Sequence, residues 1–274
     1  MKIAVTGPKG RLASWLIEHH GCEPFDVDIT NLVQVRMEVD RLRPDVIIHT
    51  AAYTNVDEAE KEKELAIVTN MRGTGNIRLA FDGYAIYIST SYVFDGQKHG
   101  AYTEKDSPNP LGQYAWTKWG GEASFIPLTK QSLSLIVRTV SLYGPGPKED
   151  FVSNLVRRLE AKEEIALPAD LYSTPTYIPH LAEGIMECVE GRMFGILNIV
   201  GRNSVNRYSW GQAVADVFEL DKELLYYGSY RGTVMRPKNA SLNTMKARMR
   251  GVPIFSLNEG LVGLKKWRTQ SNLP

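Results

Sequence analysis

Ile3-Ala4-Val5-Thr6-Gly7-Pro8-Lys9-Gly10-Arg11-Leu12-Ala13 is the stretch on which the fold turns. The short β-branched run over 3–6 ends in Gly7, as a buried first strand does. Helix-like apolar spacing follows over 10–20, at Leu12, Trp15, Leu16 and His19, and Gly21 stops it. Glycines in such a strand–turn–helix permit a tight turn and close approach of backbone to phosphate, and Ala13 is small enough for helix–strand packing. The N–H groups at the helix start would bind a pyrophosphate. A plain βα turn is the alternative, but its place at the first turn of the chain favours nucleotide binding. Gly7, Lys9, Gly10, Arg11 and Leu12 are therefore candidate cofactor contacts.

The same alternation continues outward. Strands are predicted over 25–29, 45–49, 84–89 and 133–139, and helices over 10–20, 32–42, 57–81 and 112–124. Strands alternating with helices at this spacing predict an α/β fold, a Rossmann-type doubly wound parallel sheet with right-handed crossovers. After Gly144-Pro145-Gly146-Pro147 the character changes. Helix over 151–162, short strands near 165–167 and 195–200, and helix over 181–189 follow, then helical pattern only at 209–218 and 243–250 in an otherwise irregular tail. The expected division is a cofactor-binding domain of residues 1–144 plus about 173–200. Residues 145–172 plus 201–274 then form a smaller α/β substrate-binding domain.

Composition excludes several classes. Hydrophobic residues make up 43% and charged residues 23%, as in an ordinary globular chain. With 32 basic and 31 acidic residues, neither nucleic acid nor an anionic membrane surface has a footprint here. Cys22 and Cys188 read as two reduced thiols of a cytoplasmic protein. The N-terminal apolar run is too short for a signal segment, and no stretch approaches about eighteen apolar residues. No cluster has metal-ligand spacing, so no metal is expected.

Chemistry gathers at the predicted strand ends. Tyr114 and Lys118, four apart in Tyr114-Ala115-Trp116-Thr117-Lys118, share one helix face. There the ammonium would draw the phenol pKa down and make a proton donor for a carbonyl being reduced. Ser89-Thr90-Ser91-Tyr92 closes the strand over 84–89, where a hydroxyl can hydrogen-bond a substrate carbonyl. Thr50-Ala51-Ala52-Tyr53-Thr54 closes the strand over 45–49, with small alanines that let a cofactor pass. Asp28, beside Ile29, stands where a carboxylate would meet an adenosine ribose, with Asp26 an equal candidate. Asp28 would suit NADH, whereas Lys9 and Arg11 would suit the 2′-phosphate of NADPH, which is the preferred cofactor here.

Taken together the chain resembles an extended short-chain dehydrogenase/reductase, and within it the dTDP-4-dehydrorhamnose reductase family. The resemblance runs almost end to end. It rests on Gly7-x-x-Gly10-x-x-Ala13, on Arg43-Pro44-Asp45-Val46-Ile47-Ile48-His49-Thr50-Ala51-Ala52-Tyr53-Thr54-Asn55-Val56-Asp57, and on Ser89-Thr90-Ser91-Tyr92-Val93-Phe94-Asp95-Gly96. Pro110-Leu111-Gly112-x-Tyr114-x-x-x-Lys118-x-x-Gly121-Glu122, Arg138-Thr139, Thr174-Pro175-Thr176 and Arg236-Pro237-x-Asn239-Ala240 extend it.

The resemblance implies hydride transfer from NAD(P)H to the C4 ketone of a dTDP-linked 6-deoxy-hexose, with Tyr114 the proton donor. Lys118 would bind the nicotinamide ribose, Thr90 would polarise the carbonyl, and Asn70 would help position the cofactor alongside Ala51, Ala52, Tyr53 and Ser89. Thr54, Val56, Ser91, Tyr92, Ser141, Arg236 and Asn239 would line the substrate side, with Arg236 and Asn239 facing the nucleotide diphosphate. The implied partner is a nucleotide-sugar substrate, with a homodimer allowed.

Three features depart from the family. Ser91 replaces the usual aspartate after Ser-Thr, Val140-Ser141 changes the segment after Arg138-Thr139, and the stretch over 21–31 is about ten residues shorter than usual. Ser91-Tyr92 also lack the Asp-Glu pair of related dehydratases. Two alternatives stand beside the reductase: a reductase or epimerase of another nucleotide sugar, and a non-catalytic subunit resembling the methionine adenosyltransferase beta subunit.

Overall fold

The computed structural model describes residues 1–126 and 133–271. β1 (Ile3–Thr6) is buried throughout and runs through the glycine turn into α1 (Arg11–His20), which Gly21 ends in the left-handed region. β2 (Glu23–Phe25), α2 (Leu32–Leu42) and β3 (Val46–His49) follow. One helix is predicted over 57–81. The chain instead forms α3 (Val56–Ala59), α4 (Lys63–Ile67), a π-helical turn at Val68–Gly73 and α5 (Thr74–Ala80). β4 (Tyr84–Thr90), α6 (Gln113–Phe125) and β5 (Ser134–Thr139) complete the first half.

The second half holds β6 (Leu142–Tyr143), α7 (Phe151–Glu160), β7 (Ile165–Pro168), β8 (Tyr172–Ser173) and β9 (Thr176–Tyr177). Then come α8 (Ile178–Glu190), β10 (Gly195–Asn198), β11 (Val205–Asn206), α9 (Arg207–Phe218) and β12 (Leu225–Gly228). The chain closes with α10 (Met245–Met249) and α11 (Leu257–Gln270). α11 occupies the tail read as irregular. Its signal was there to be read: Ser256 and Glu259 form a reciprocal cap, and Leu257, Leu261 and Leu264 recur on one buried stripe.

Six parallel strands form the central sheet in the order β10-β5-β4-β3-β1-β2. The order reverses between β1 and β3, and ligands of such sheets sit outside the strand ends at that point. Side chains alternate between two apolar layers. Ile3, Val5, Ile48, Ile86 and Val137 pack with α1 and α8, and Ala247, Val252 and Ile254 join this layer. Ala4, Ile47, Tyr87 and Ile136 pack with residues of α2, α5 and α6 on the other face. A separate core is built from α7, α9, α11, β7 and β12 around Trp210, Leu155 and Leu261.

β2 is shorter than the strand predicted over 25–29, and the reason is local. It lies at the sheet edge, where Pro24 is tolerated. Beyond Phe25 the Asp28 carboxylate accepts from Thr30 N (2.9 Å) and Thr30 Oγ1 (2.8 Å), which turns the chain away from the sheet.

Candidate active site

Thr90 ends β4, and its Oγ1 accepts a hydrogen bond from Tyr92 N at 3.2 Å. α6 crosses that strand end and carries Tyr114 and Lys118 on one face. The Thr90 hydroxyl is within hydrogen-bonding reach of the half-buried Tyr114 phenol. Lys118 is buried; its Nζ donates to Ile88 O at 2.7 Å and sits 4.1 Å from the Tyr87 ring centre. The expected electrostatics are reversed here. Burial pushes the Tyr114 phenol up to about 12, with Thr90 pulling it part-way back. Burial also pushes the Lys118 ammonium down to about 7, opposed by Glu122. The physical reason is desolvation of both groups, with Lys118 Nζ turned into β4 toward the Ile88 carbonyl and the Tyr87 ring.

The glycine turn lies on the same edge of the sheet, packed against Ala51 after β3. Gly7 has φ 66, and a Cβ there would sit 3.0 Å from Ala51 Cα, so β1 and β3 close on one another only because residue 7 lacks a side chain. Gly10 N donates to Gly7 O at 2.9 Å, and α1 starts at Gly10 without a side-chain cap. Its first N–H groups thus have no partner from a capping side chain, and a pyrophosphate suits them. Lys9 is exposed and lies 4.0 Å from Asp26. These residues fit a dinucleotide with a phosphorylated ribose.

Other candidates are placed differently. Arg11 donates to Gly144 O (3.0 Å) and Asp150 Oδ2 (2.7 Å) and to Lys148 O, so it ties α1 to the start of α7. Asp28 Oδ1 accepts from Thr30, whereas Asp26 lies beside Lys9 of the turn. The side chains of Leu12 and Ile29 lie in the two sheet layers.

Three polar networks between residues far apart in the chain hold the site. Thr6 Oγ1 meets His49 Nδ1 at 2.7 Å, His49 Nε2 meets Thr74 Oγ1 at 3.1 Å, and Thr6 Oγ1 also accepts from Ala51 N at 3.0 Å. Burial, with Lys118 nearby, pushes His49 down to about 3, so the imidazole is neutral. Asn70, fully buried in the π-helical turn, accepts from Tyr53 N (2.8 Å) and donates to Tyr53 O and Thr117 Oγ1 (both 3.0 Å). It clamps the loop after β3 to α6 from within the π turn. Gly121 lets α6 pack this closely, since a Cβ there would lie 2.6 Å from Asn70 O. Glu122 accepts from Ser89 Oγ (2.6 Å) and takes a fork from Arg138 Nε (2.8 Å) and Nη2 (2.7 Å), joining α6, β4 and β5. Ser89 thus serves the scaffold beneath Thr90.

The family profile described as RmlD substrate binding domain matches residues 1–265. The chain belongs to this family. It is 31% identical to a dTDP-4-dehydrorhamnose reductase of Mycolicibacterium smegmatis, over 97% of this chain and 83% of that one. A dTDP-4-dehydrorhamnose reductase of Aggregatibacter actinomycetemcomitans is 29% identical over 89% of this chain and 91% of that one. Among solved structures, dTDP-4-dehydrorhamnose reductase from Bacillus anthracis in complex with NADP superposes with a TM-score of 0.90 at 31% identity, covering 97% of this chain and 100% of that chain.

In this member of the RmlD family, the expected substrate-side residues fall into two groups. Tyr92 sets its ring edge-on to Tyr114, with centroids 6.2 Å apart. Arg236 reaches the same side and pairs with Asp57 at 2.8 Å, just after Thr54 and Val56 at the start of α3. Ser141, Ser91 and Asn239 are placed differently. Ser141 takes φ 50 and bonds Ser173 Oγ at 3.0 Å. Ser91 is fully buried, and its hydroxyl has no hydrogen-bond partner among the described residues. Asn239 donates to Lys98 O (3.0 Å) and Gly100 O (2.7 Å), so its amide secures a loop.

Proposed function

We propose that this chain is an NADPH-dependent reductase of the C4 ketone of dTDP-4-dehydrorhamnose. The observation that carries the reading is the convergence of Thr90, Tyr114 and Lys118 at the end of β4, on the same sheet edge as the Gly7–Gly10 turn. When bound, NADPH supplies the hydride. Gly7, Gly10 and the first N–H groups of α1 would hold its pyrophosphate, Lys9 its 2′-phosphate, and Ala51 and Ala52 would flank it. Tyr114, with a pKa near 12, is protonated at neutral pH, which is the form a reductase needs. Its phenol passes a proton to the carbonyl oxygen as charge builds there, while the Thr90 hydroxyl donates a second hydrogen bond. As Tyr114 becomes phenolate, the nearby charge favours protonated Lys118, whose pKa near 7 leaves it free to respond.

The separate core around Trp210 supports the division into a cofactor part (1–144 with 173–200) and a substrate part (145–172 with 201–274). A cytoplasmic setting is supported by the free, buried Cys22 and Cys188. The test is cofactor oxidation on adding dTDP-4-dehydrorhamnose. A folded protein that turns over with neither NADPH nor NADH would refute the reading. Tyr114→Phe should lower kcat by about 10²- to 10⁴-fold while NADPH still binds; an active variant would contradict the proton donor.

A further inference from the structure

Arg207 opens α9 with its guanidinium between two rings, 4.6 Å from the centre of Phe151 and 4.8 Å from that of Trp210. Its Nη1 is buried and has no hydrogen-bond partner among the described residues. No carboxylate among them neutralises it; the titratable group that acts on it is the Tyr92 phenol. Other arginines near the site are answered differently. Arg138 is forked on Glu122, Arg11 is held by Asp150, and Arg236 by Asp57. A half-buried guanidinium with one nitrogen shut from solvent and no anion against it is costly, and an anionic ligand would complete it.

Tyr92 connects this charge to the reacting end. Its ring edges Tyr114 at 6.2 Å, and its phenol, pushed up by burial, is pulled back first by Arg207 and then by Arg236. The charges of Arg207, on α9, and of Arg236, on the segment around residue 236, both act on Tyr92. One pyranose ring separates the C4 ketone of a nucleotide sugar from the phosphate on its C1. Tyr92 stands edge-on to Tyr114 and feels the charge of both arginines, so it links the reacting end to that charge.

We infer that Arg207 binds the diphosphate of the nucleotide sugar and thereby sets the sugar against Tyr114, an inference that rests on the reductase reading. A guanidinium presents a planar fork that matches phosphate oxygens, and the flanking rings fix its plane before the ligand arrives. A neutral sugar alone would leave the charge uncompensated. A purely structural cation–π contact would give Arg207 a role in folding but none in ligand affinity.

Titration of dTDP into the full-length protein, followed by calorimetry, tests this. Arg207→Gln and Arg207→Met should each weaken dTDP by about ten- to a hundred-fold, the loss of a charge-assisted contact, and leave NADPH affinity unchanged. With the keto-sugar substrate the effect should fall mainly on its KM. Either variant, folded and binding dTDP as wild type does, would overturn the assignment. Should both fail to fold, Arg207→Lys keeps a cation against the rings without the fork; undiminished dTDP affinity there would overturn it too. A wild-type protein that does not bind dTDP also defeats it. If dTDP binding depends on Arg207 but dTDP-4-dehydrorhamnose is not reduced, the diphosphate subsite stands and the reductase reading fails.

Discussion

Glu122→Gln probes how the catalytic helix is held in register with the strand that carries Thr90. The wild-type carboxylate receives three hydrogen bonds, from Ser89 Oγ, Arg138 Nε and Arg138 Nη2. The Arg138 and Glu122 side chains are only 2% and 5% exposed, so solvent does not screen the pair. Each charge-assisted bond contributes about 1.5–3 kcal/mol, but the desolvated carboxylate offsets part of the sum. Breaking one side of such a buried pair costs about 3–5 kcal/mol, because the other charge stays buried alone. For a chain of this size that is a fall in Tm of roughly 6–20 °C. Urea unfolding followed by circular dichroism gives the free energy, and steady-state turnover gives the second readout. α6 should lose its register with β4, lowering kcat by on the order of 10²-fold. The double variant Glu122→Leu/Arg138→Met should recover most of the stability, since neither charge then remains. A loss below about 1 kcal/mol for Glu122→Gln would refute the reasoning, placing this pair with exposed ones.

Further outcomes follow from the other networks. His49 falls from 6.5 to about 3 on folding, so the unfolded chain takes up its proton first as pH drops. Stability should therefore be lost between about pH 6.5 and 3, by on the order of 4–5 kcal/mol, and His49→Gln should flatten that slope in urea titrations at stepped pH; an unchanged slope would contradict a buried neutral imidazole. Gly7→Ala, at φ 66 and 3.0 Å from Ala51 Cα, should cost about 1–2 kcal/mol from conformation alone and weaken NADPH at least about tenfold in a fluorescence titration. Wild-type cofactor binding in that variant would remove the turn from the site. Asn70→Ala unclamps Tyr53 from α6 and should lower kcat/KM by on the order of 10²-fold; full activity would show that the π turn has no part in positioning.

Much of this site was legible because its signals are local. The run over 3–6 and the buried run before Thr50 are short, apolar and bounded by turn residues, and that pattern yields parallel strands wherever it alternates with helices. Gly7 and Gly10 mark a turn that few other residues could make. The four-residue spacing of Tyr114 and Lys118 places them on one helix face whatever lies around them. What was missed locally was the Ser256–Glu259 cap of α11, a signal present in the sequence and passed over amid glycine and proline connections.

The remaining features belong to the tertiary structure, because polar partners far apart in the chain compete for the same groups. Arg11 looks like a phosphate ligand by position, yet Asp150, 139 residues away, takes its guanidinium. Asn239 looks like a diphosphate contact, yet the carbonyls of Lys98 and Gly100 use its amide. Burial, the largest cause for both, decided that Lys118 is pushed down to about 7 and Tyr114 up to about 12, a direction that spacing along one helix could not reveal. By itself the sequence determined the strand–helix order and the residues brought to the strand ends, since backbone periodicity and turn chemistry act over a few positions. Only the folded chain decided their charge states and which of them stay free to meet a ligand, since those depend on desolvation and on long-range partners.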